Sequence, residues 1–321
     1  GIASYGLKLS SRVNSTSKIE NEGTINIGGD NTLTYDHDNN PLTPRIPIYG
    51  GTSSNSLSSG IAVLEDSTLT GANSIRAYKG LVKNTGTINV SGGQGNTGMV
   101  LIVKADDDIT NETSGIINVT GNKNIGMRVD YGSAATDDGT TTRTPEAINK
   151  GKISITDGDG NIGMVAHKDT LAGDHAIAIN SGTNGIYFND TATNAIGMFS
   201  QAGGEVVNET GANIKGNGTL LVNTIGMVIN DSTSGGKNKG VIDLKGTKVT
   251  GVYNNKGTFE MTDGSITTSG EKSISLYSTN TLKTIIEKGS ITAEKGALGL
   301  FADNAEIVLG GTGVNNDVKL K

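Results

Sequence analysis

The sequence predicts an all-β chain wound as a right-handed parallel β-helix (a β-solenoid) of about ten coils, each 22–37 residues long. Three observations predict it. Short aliphatic runs such as Met99-Val100-Leu101-Ile102-Val103 recur along the whole chain between turn residues, as buried strands do. An Asn-x-Gly corner followed by an alternating strand repeats from end to end. Between those corners, a small residue followed by an apolar run repeats as well.

The corner motif reads Asn21-Glu22-Gly23-Thr24-Ile25-Asn26-Ile27, and again Asn84-Thr85-Gly86-Thr87-Ile88-Asn89-Val90. Further copies start at Asn149, Asn238 and Asn255, looser ones at Asn111, Asn180 and Asn208, and Glu287-Lys288-Gly289 replaces the Asn in the last. Such a corner lets the chain take positive φ, since Gly has no Cβ and Asn bonds neighbouring backbone. Stacked coils would set these Asn side chains above one another, where their amides can form a ladder. The alternating Ile25/Ile27, Ile88/Val90 and Ile153/Ile155 are expected to point inward, with Thr, Asn and Ser outward.

The second motif reads Thr97-Gly98-Met99-Val100, Ile125-Gly126-Met127, Ile162-Gly163-Met164-Val165, Ile196-Gly197-Met198-Phe199 and Ile225-Gly226-Met227-Val228. It drifts to Thr250-Gly251-Val252-Tyr253, Ile274-Ser275-Leu276-Tyr277 and Leu298-Gly299-Leu300-Phe301. Its steps are 28, 37, 34, 29, 25, 24 and 24 residues, and Ile75-Arg76-Ala77-Tyr78 reads as an earlier copy. The units hold only short strands and turns, which excludes helical repeats, and they are too short for propeller blades. The Met residues, recurring at the coil period, are expected to be core fillers. The small residue before Met is expected to make room for it in a narrow interior.

Residues 1–321 read as one solenoid, expected to be a fragment of a longer protein, with insertions near 28–60, 131–145, 168–175 and 231–237. Several insertions follow the Gly-Met strand, which maps them to one face of a solenoid, often the binding face. Composition bounds the function. The net charge is −6, with 26 basic and 32 acidic residues interspersed, which argues against nucleic acid. No apolar stretch is long enough for a membrane span, and no signal peptide opens the sequence. The absence of Cys excludes disulfides and thiolate metal sites.

The repeated Asn-x-Gly-x-Ile-x-Val followed by Ile-Gly-Met, as at Asn84 to Val90 and Ile125 to Met127, resembles the passenger region of type V autotransporters, particularly the large fusobacterial outer-membrane adhesins. The resemblance covers roughly residues 60–321. It implies export through a C-terminal outer-membrane barrel that this sequence does not include, display on the cell surface, and adhesion to host cells or other bacteria. The partner it implies is a host-cell or bacterial surface receptor, protein or glycan. No Gly-Asp-Ser-Gly protease motif is present, which disfavours protease passengers. Two-partner-secreted filamentous adhesins share the coil chemistry.

Carbohydrate-active enzymes also use parallel β-helices, with carboxylates clustered on adjacent coils. Asp106-Asp107-Asp108 and Asp157-Gly158-Asp159-Gly160-Asn161 are the candidates. The second opens like a calcium loop, but Ile162 replaces the needed Gly and Lys168 stands at the acidic position, so a turn is the preferred reading. His167 and His175 lie in or beside one insertion with Asp169 and Asp174, and His37 lies within Asp36-His37-Asp38-Asn39-Asn40; solvated loops are preferred to metal sites. The expectation is therefore a non-enzymatic adhesin segment with no catalytic residue, metal or cofactor. Its contact candidates are the insertion residues Tyr35, Tyr49, Tyr131, Arg143 and His175.

Overall fold

Each repeat supplies three short strands, and each strand pairs in parallel with its counterpart one repeat later. The products are sheets A and B of ten strands and sheet C of eleven, wound as a right-handed parallel β-helix. The structure, a computed structural model, describes residues 5–10, 18–29, 58–64, 80–103, 107–131, 144–168, 175–216, 221–281, 283–310 and 318–320. Coils 1 to 10 open with the sheet A strands Tyr5–Ser10, Ser59–Leu64, Thr97–Val103, Ile125–Tyr131, Ile162–Lys168, Ile196–Gln201, Ile225–Ile229, Thr250–Asn255, Ile274–Thr279 and Leu298–Asp303. Parallel strands lie about 4.8 Å apart, so the ten coils rise by about 50 Å along the axis.

The interior is a set of columns. Met99, Met127, Met164, Met198 and Met227 stack in register in sheet A and are fully buried, followed by Val252 and Leu276. Opposite them, sheet C stacks Ile88, Ile117, Ile153, Ile186, Ile214, Ile242, Ile266 and Ile291. The glycine before Met answers to this Ile column. A Cβ on Gly98 would lie 2.5 Å from the Gly126 carbonyl oxygen and 2.9 Å from Ile117 Cγ2, and one on Gly126 would meet Gly163 and Ile153 in the same way. The branched methyl of Ile thus occupies the space the glycine leaves, and adjacent coils close over it. The need for a small residue is set by this packing, rather than by the size of the Met that follows.

The buried corner between sheets B and C carries the amide ladder. Asn21, Asn84, Asn111, Asn149, Asn180, Asn208 and Asn238 stack, each Nδ2 donating to the Oδ1 of the next at 2.8–2.9 Å. The second Nδ2 hydrogen turns to the corner's own carbonyl, as from Asn84 to Gly86 and from Asn111 to Gly115, both 3.3 Å. Both hydrogens of a buried amide are thereby used, which is why Asn is tolerated inside. The corner from sheet C to sheet A repeats a left-handed residue at Lys123 (φ 55°), Asn194 (48°), Lys248 (56°) and Lys272 (58°).

Four readings of the repeat need correction. The Asn-x-Gly glycines Gly23, Gly86, Gly151 and Gly240 are not at positive φ; from Gly86 on, close stacking requires them, a Cβ on Gly86 lying 2.2 Å from Gly23 O. The strand stacked on Thr97–Val103 is Ser59–Leu64, with Ile61 opposite Met99. Gly60 therefore holds the place of Gly98, and Ile75–Tyr78, outside the described residues, is not the preceding copy. Asn255-Lys256-Gly257 lies at the corner from sheet A to sheet B, because Thr258–Met261 pairs with Gly235–Asn238 of sheet B. It is a second use of the motif, one corner earlier. The segment 231–237 ends inside the sheet B strand Gly235–Asn238, so only its first residues are connection.

Two expectations follow. Asn149→Ala should destabilise the chain by about 2–5 kcal/mol, since it strands both Asn111 Nδ2 and Asn180 Oδ1, whereas Asn238→Ala, at the ladder's end, should cost about half that; guanidinium unfolding of both variants measures the difference. Gly126→Ala should cost about 1–3 kcal/mol by forcing coils apart, while Gly23→Ala, whose Cβ meets nothing within 4 Å, should be nearly neutral in the same assay.

Candidate binding surface

Sheet B presents a charged outer face. Lys83 Nζ and Lys150 Nζ lie 3.7 and 3.4 Å from Glu112, Lys237 lies 2.8 Å from Glu205, and Lys239 lies 3.1 Å from Glu209. These pairs bridge neighbouring coils, yet each is partly solvated and contributes little on its own. The corner Asn111 to Gly115 is two residues longer than Asn84 to Gly86, and it overhangs the preceding coil. Under the overhang runs an open groove of about 560 Å³ lined by Glu20, Lys83, Thr85, Glu112, Thr113 and Ser114. Its polar groups are already engaged: Ser114 Oγ donates to Thr85 O (3.0 Å) and Thr85 Oγ1 to Asn21 O (3.1 Å).

Sheet C is a polar face. Asn118 donates to Asn89 Oδ1 at 2.8 Å and Asn89 to Asn26 Oδ1 at 2.7 Å, and Lys152 sits 5.6 Å over the Tyr187 ring.

Sheet A differs from both, because its outer face is apolar too. Ile125, Ile162, Val165, Ile196, Phe199, Val228, Tyr253 and Tyr277 form a second buried cluster there. Within it Arg128 (3% exposed) and Asp130 (7%) form a two-pronged pair, Nε to Oδ1 at 2.9 Å and Nη2 to Oδ2. His167, one coil on, stacks against Asp130 with Nδ1 3.9 Å from Oδ1, too far for a hydrogen bond. The aromatic rings Tyr253, Tyr277 and Phe301 stack at 5.1 and 5.0 Å, and exposure rises from 2% to 8% to 42% along them. Burial, then the Asp303 charge, pushes the Tyr277 phenol up from its ordinary value.

Of the residues singled out in the sequence, Tyr35, Tyr49 and Arg143 lie outside the described residues, as do His37 and most of the insertions 28–60, 131–145 and 168–175. Tyr131 closes the strand Ile125–Tyr131, its backbone paired with Val103 and Lys168. His175 is exposed, its Nδ1 3.5 Å from Gly203 O, so it does not join His167. Asp108 is an internal acceptor for Gly80 N (2.7 Å). Asp157 and Asp159 end the strand Lys152–Asp159, where Asp157 accepts from Gly121 N (3.0 Å) and Asp159 from Asn194. Buried Asn161 donates back to Asp157 O at 2.7 Å, the bond of a corner rather than of a cation loop. Among the described residues no three His, Asp or Glu side chains are grouped to hold a metal.

The buried pair has a measurable consequence. Asp130→Ala should destabilise by about 3–5 kcal/mol by leaving the Arg128 guanidinium buried without its carboxylate, and Arg128→Val combined with Asp130→Leu, which continues the flanking Val100, Val165 and Ile102 columns, should recover most of that loss in thermal melts.

No protein family, curated protein or solved structure matches the chain.

Proposed function

We propose that this chain is a non-enzymatic stalk segment of a secreted bacterial surface adhesin of the autotransporter type, a stiff rod that carries loops to a receptor on host cells or other bacteria. The observation that supports it most is the distribution of chain length around the coil. From sheet A to sheet B the connection runs from two residues, at 256–257, to seventeen, at 65–81, and takes 132–145 and 169–176 on successive coils. The paired strands keep their register across those coils. The longest connection, 28–58, runs instead from sheet C to sheet A, so the insertions fall at two corners, and at either they can vary without disturbing the columns inside. The strands set the spacing, and the loops are left to make contact.

The resemblance stated above supplies the surface location, the outer-membrane anchor and the class of partner. Export fits the same architecture, because each coil that winds outside the cell offers a paired edge to the next and opposes return.

Beads coated with the chain should adhere to host cells or partner bacteria, and replacing 132–143 by a Gly-Ser linker should reduce adhesion at least tenfold while circular dichroism stays that of the parent. Undiminished adhesion would assign the segment to spacing alone. Release of sugar fragments from a panel of polysaccharides would sink the non-enzymatic reading outright.

A further inference from the structure

The interior of the rod changes character at one junction. From coil 7 to coil 8 three neighbouring inner positions change together: Ile229, which follows Ser200, gives way to Asn254; Gly236, which follows Val206, gives way to Phe259; and the Asn column ends at Asn238, with Met261 next. Within coil 7 the exchange is self-consistent, since Ile229 fills the space above Gly236, where a Cβ would lie 2.7 Å from Ile229 Cγ1. Across the junction the amide ladder stops. Asn238 Nδ2 reaches only Gly240 O, at 3.3 Å, and Met261 offers it no acceptor.

Beyond the junction a different set of bonds takes over. Asn254 donates to Thr284 Oγ1 (2.9 Å), which meets Ser278 Oγ (3.1 Å), and Ser275 bridges Thr268 Oγ1 and Thr292 O, each 2.9 Å. These bonds run among coils 8 and 9, and none reaches back to coil 7. Asn254 Oδ1 is buried with no hydrogen-bond partner among the described residues. The side-chain bonds that do cross lie at the corners, from Asn255 Nδ2 to Asn230 O (3.5 Å) and Oδ1 (3.3 Å), and at buried Ser273, whose Oγ accepts from Val249 N (3.2 Å) and donates to Gly246 O (3.3 Å). Backbone pairing is continuous, as are the apolar columns Met227–Val252, Val228–Tyr253 and Ile242–Ile266, so what the junction lacks is hydrogen bonding between inner side chains.

In a linear array, stability is a sum of unit terms and nearest-neighbour interfaces, so a weak interface divides the array into separately opening blocks. We propose that the junction between coils 7 and 8 is a built-in break point: residues from 250 onward unwind as one block while residues up to 249 stay wound. The ladder braces the first block, the hydroxyl network and the stacked rings brace the second, and the orphaned Asn254 acceptor marks the boundary. Under tension such a rod lengthens in one defined step and keeps most of its columns intact.

Native-state hydrogen exchange of the whole chain in sub-denaturing guanidinium tests this. Amides of 250–310 should share one opening constant, about tenfold or more above that of amides in 144–249, with the change falling between Val249 and Thr250. Asn254→Ile, Phe259→Gly and Met261→Asn together give coil 8 the set that Ile229, Gly236 and Asn238 form in coil 7, extend the amide ladder by one coil, and should move the boundary to the junction between Ser273 and Ile274. One common opening constant across Val249 and Thr250 in the unaltered chain, gradual fraying coil by coil, or a boundary that the triple variant leaves in place would each overturn the proposal.

Discussion

Register is the constraint on which the rest of this structure depends, and the buried Asn column is what enforces it. An amide inside an apolar core is tolerable only with its donors and acceptor met, and here the partner of each is the same residue one coil away. A slip by one residue in any strand would turn Asn out and a solvent-facing residue in. Once that corner is fixed, the sheet C strand that follows must present Ile88, Ile117 or Ile153 to the interior, and the glycine of sheet A must stand opposite it. Ladder, Ile column and glycine column are therefore one device, repeated.

Much of this device was legible in the sequence because both motifs are local. Asn-x-Gly and Ile-Gly-Met each fit within one corner and one strand, so their recurrence shows directly. What escaped notice depends on which corner a motif occupies. Asn255-Lys256-Gly257 has the same chemistry as Asn238-Lys239-Gly240, and only the pairing of Thr258–Met261 with Gly235–Asn238 shows that it turns the chain one corner earlier. Ser59-Gly60-Ile61-Ala62 carries the small-then-apolar pattern, but the long connection after it, 65–81, separates it from Thr97-Gly98-Met99 by more than any later step.

The outer face of sheet A escaped for another reason. A strand apolar on one face alternates, whereas Met99 to Val103 and Ile196 to Phe199 do not, and unbroken runs are the mark of strands covered on both sides. The signal was present, and the cluster of Val165, Phe199, Val228 and Tyr253 is its meaning. Asp130 and His167 were harder to pair, since they are 37 residues apart. That separation equals the step from Gly126 to Gly163, so aligning the sequence coil by coil already sets them side by side.

A rod made this way separates two demands that a globular domain must meet at once. Changes at the corner from sheet A to sheet B touch solvent-facing backbone, and lengthening an exposed loop costs only a slowly growing entropy. Changes inside a column are felt by the coil above and the coil below. On the function proposed here, recognition can diversify at the corner while the interior stays under the constraint of register. The exchange of columns between coils 7 and 8 shows how that constraint yields. The polar position moves by one corner, from Asn238 to Asn254, and Phe259 and Met261 take up the volume that Ile229 had filled. The coil keeps its circumference and the sheets keep their pairing, so the solenoid continues with a new interior at the cost of one unmet acceptor.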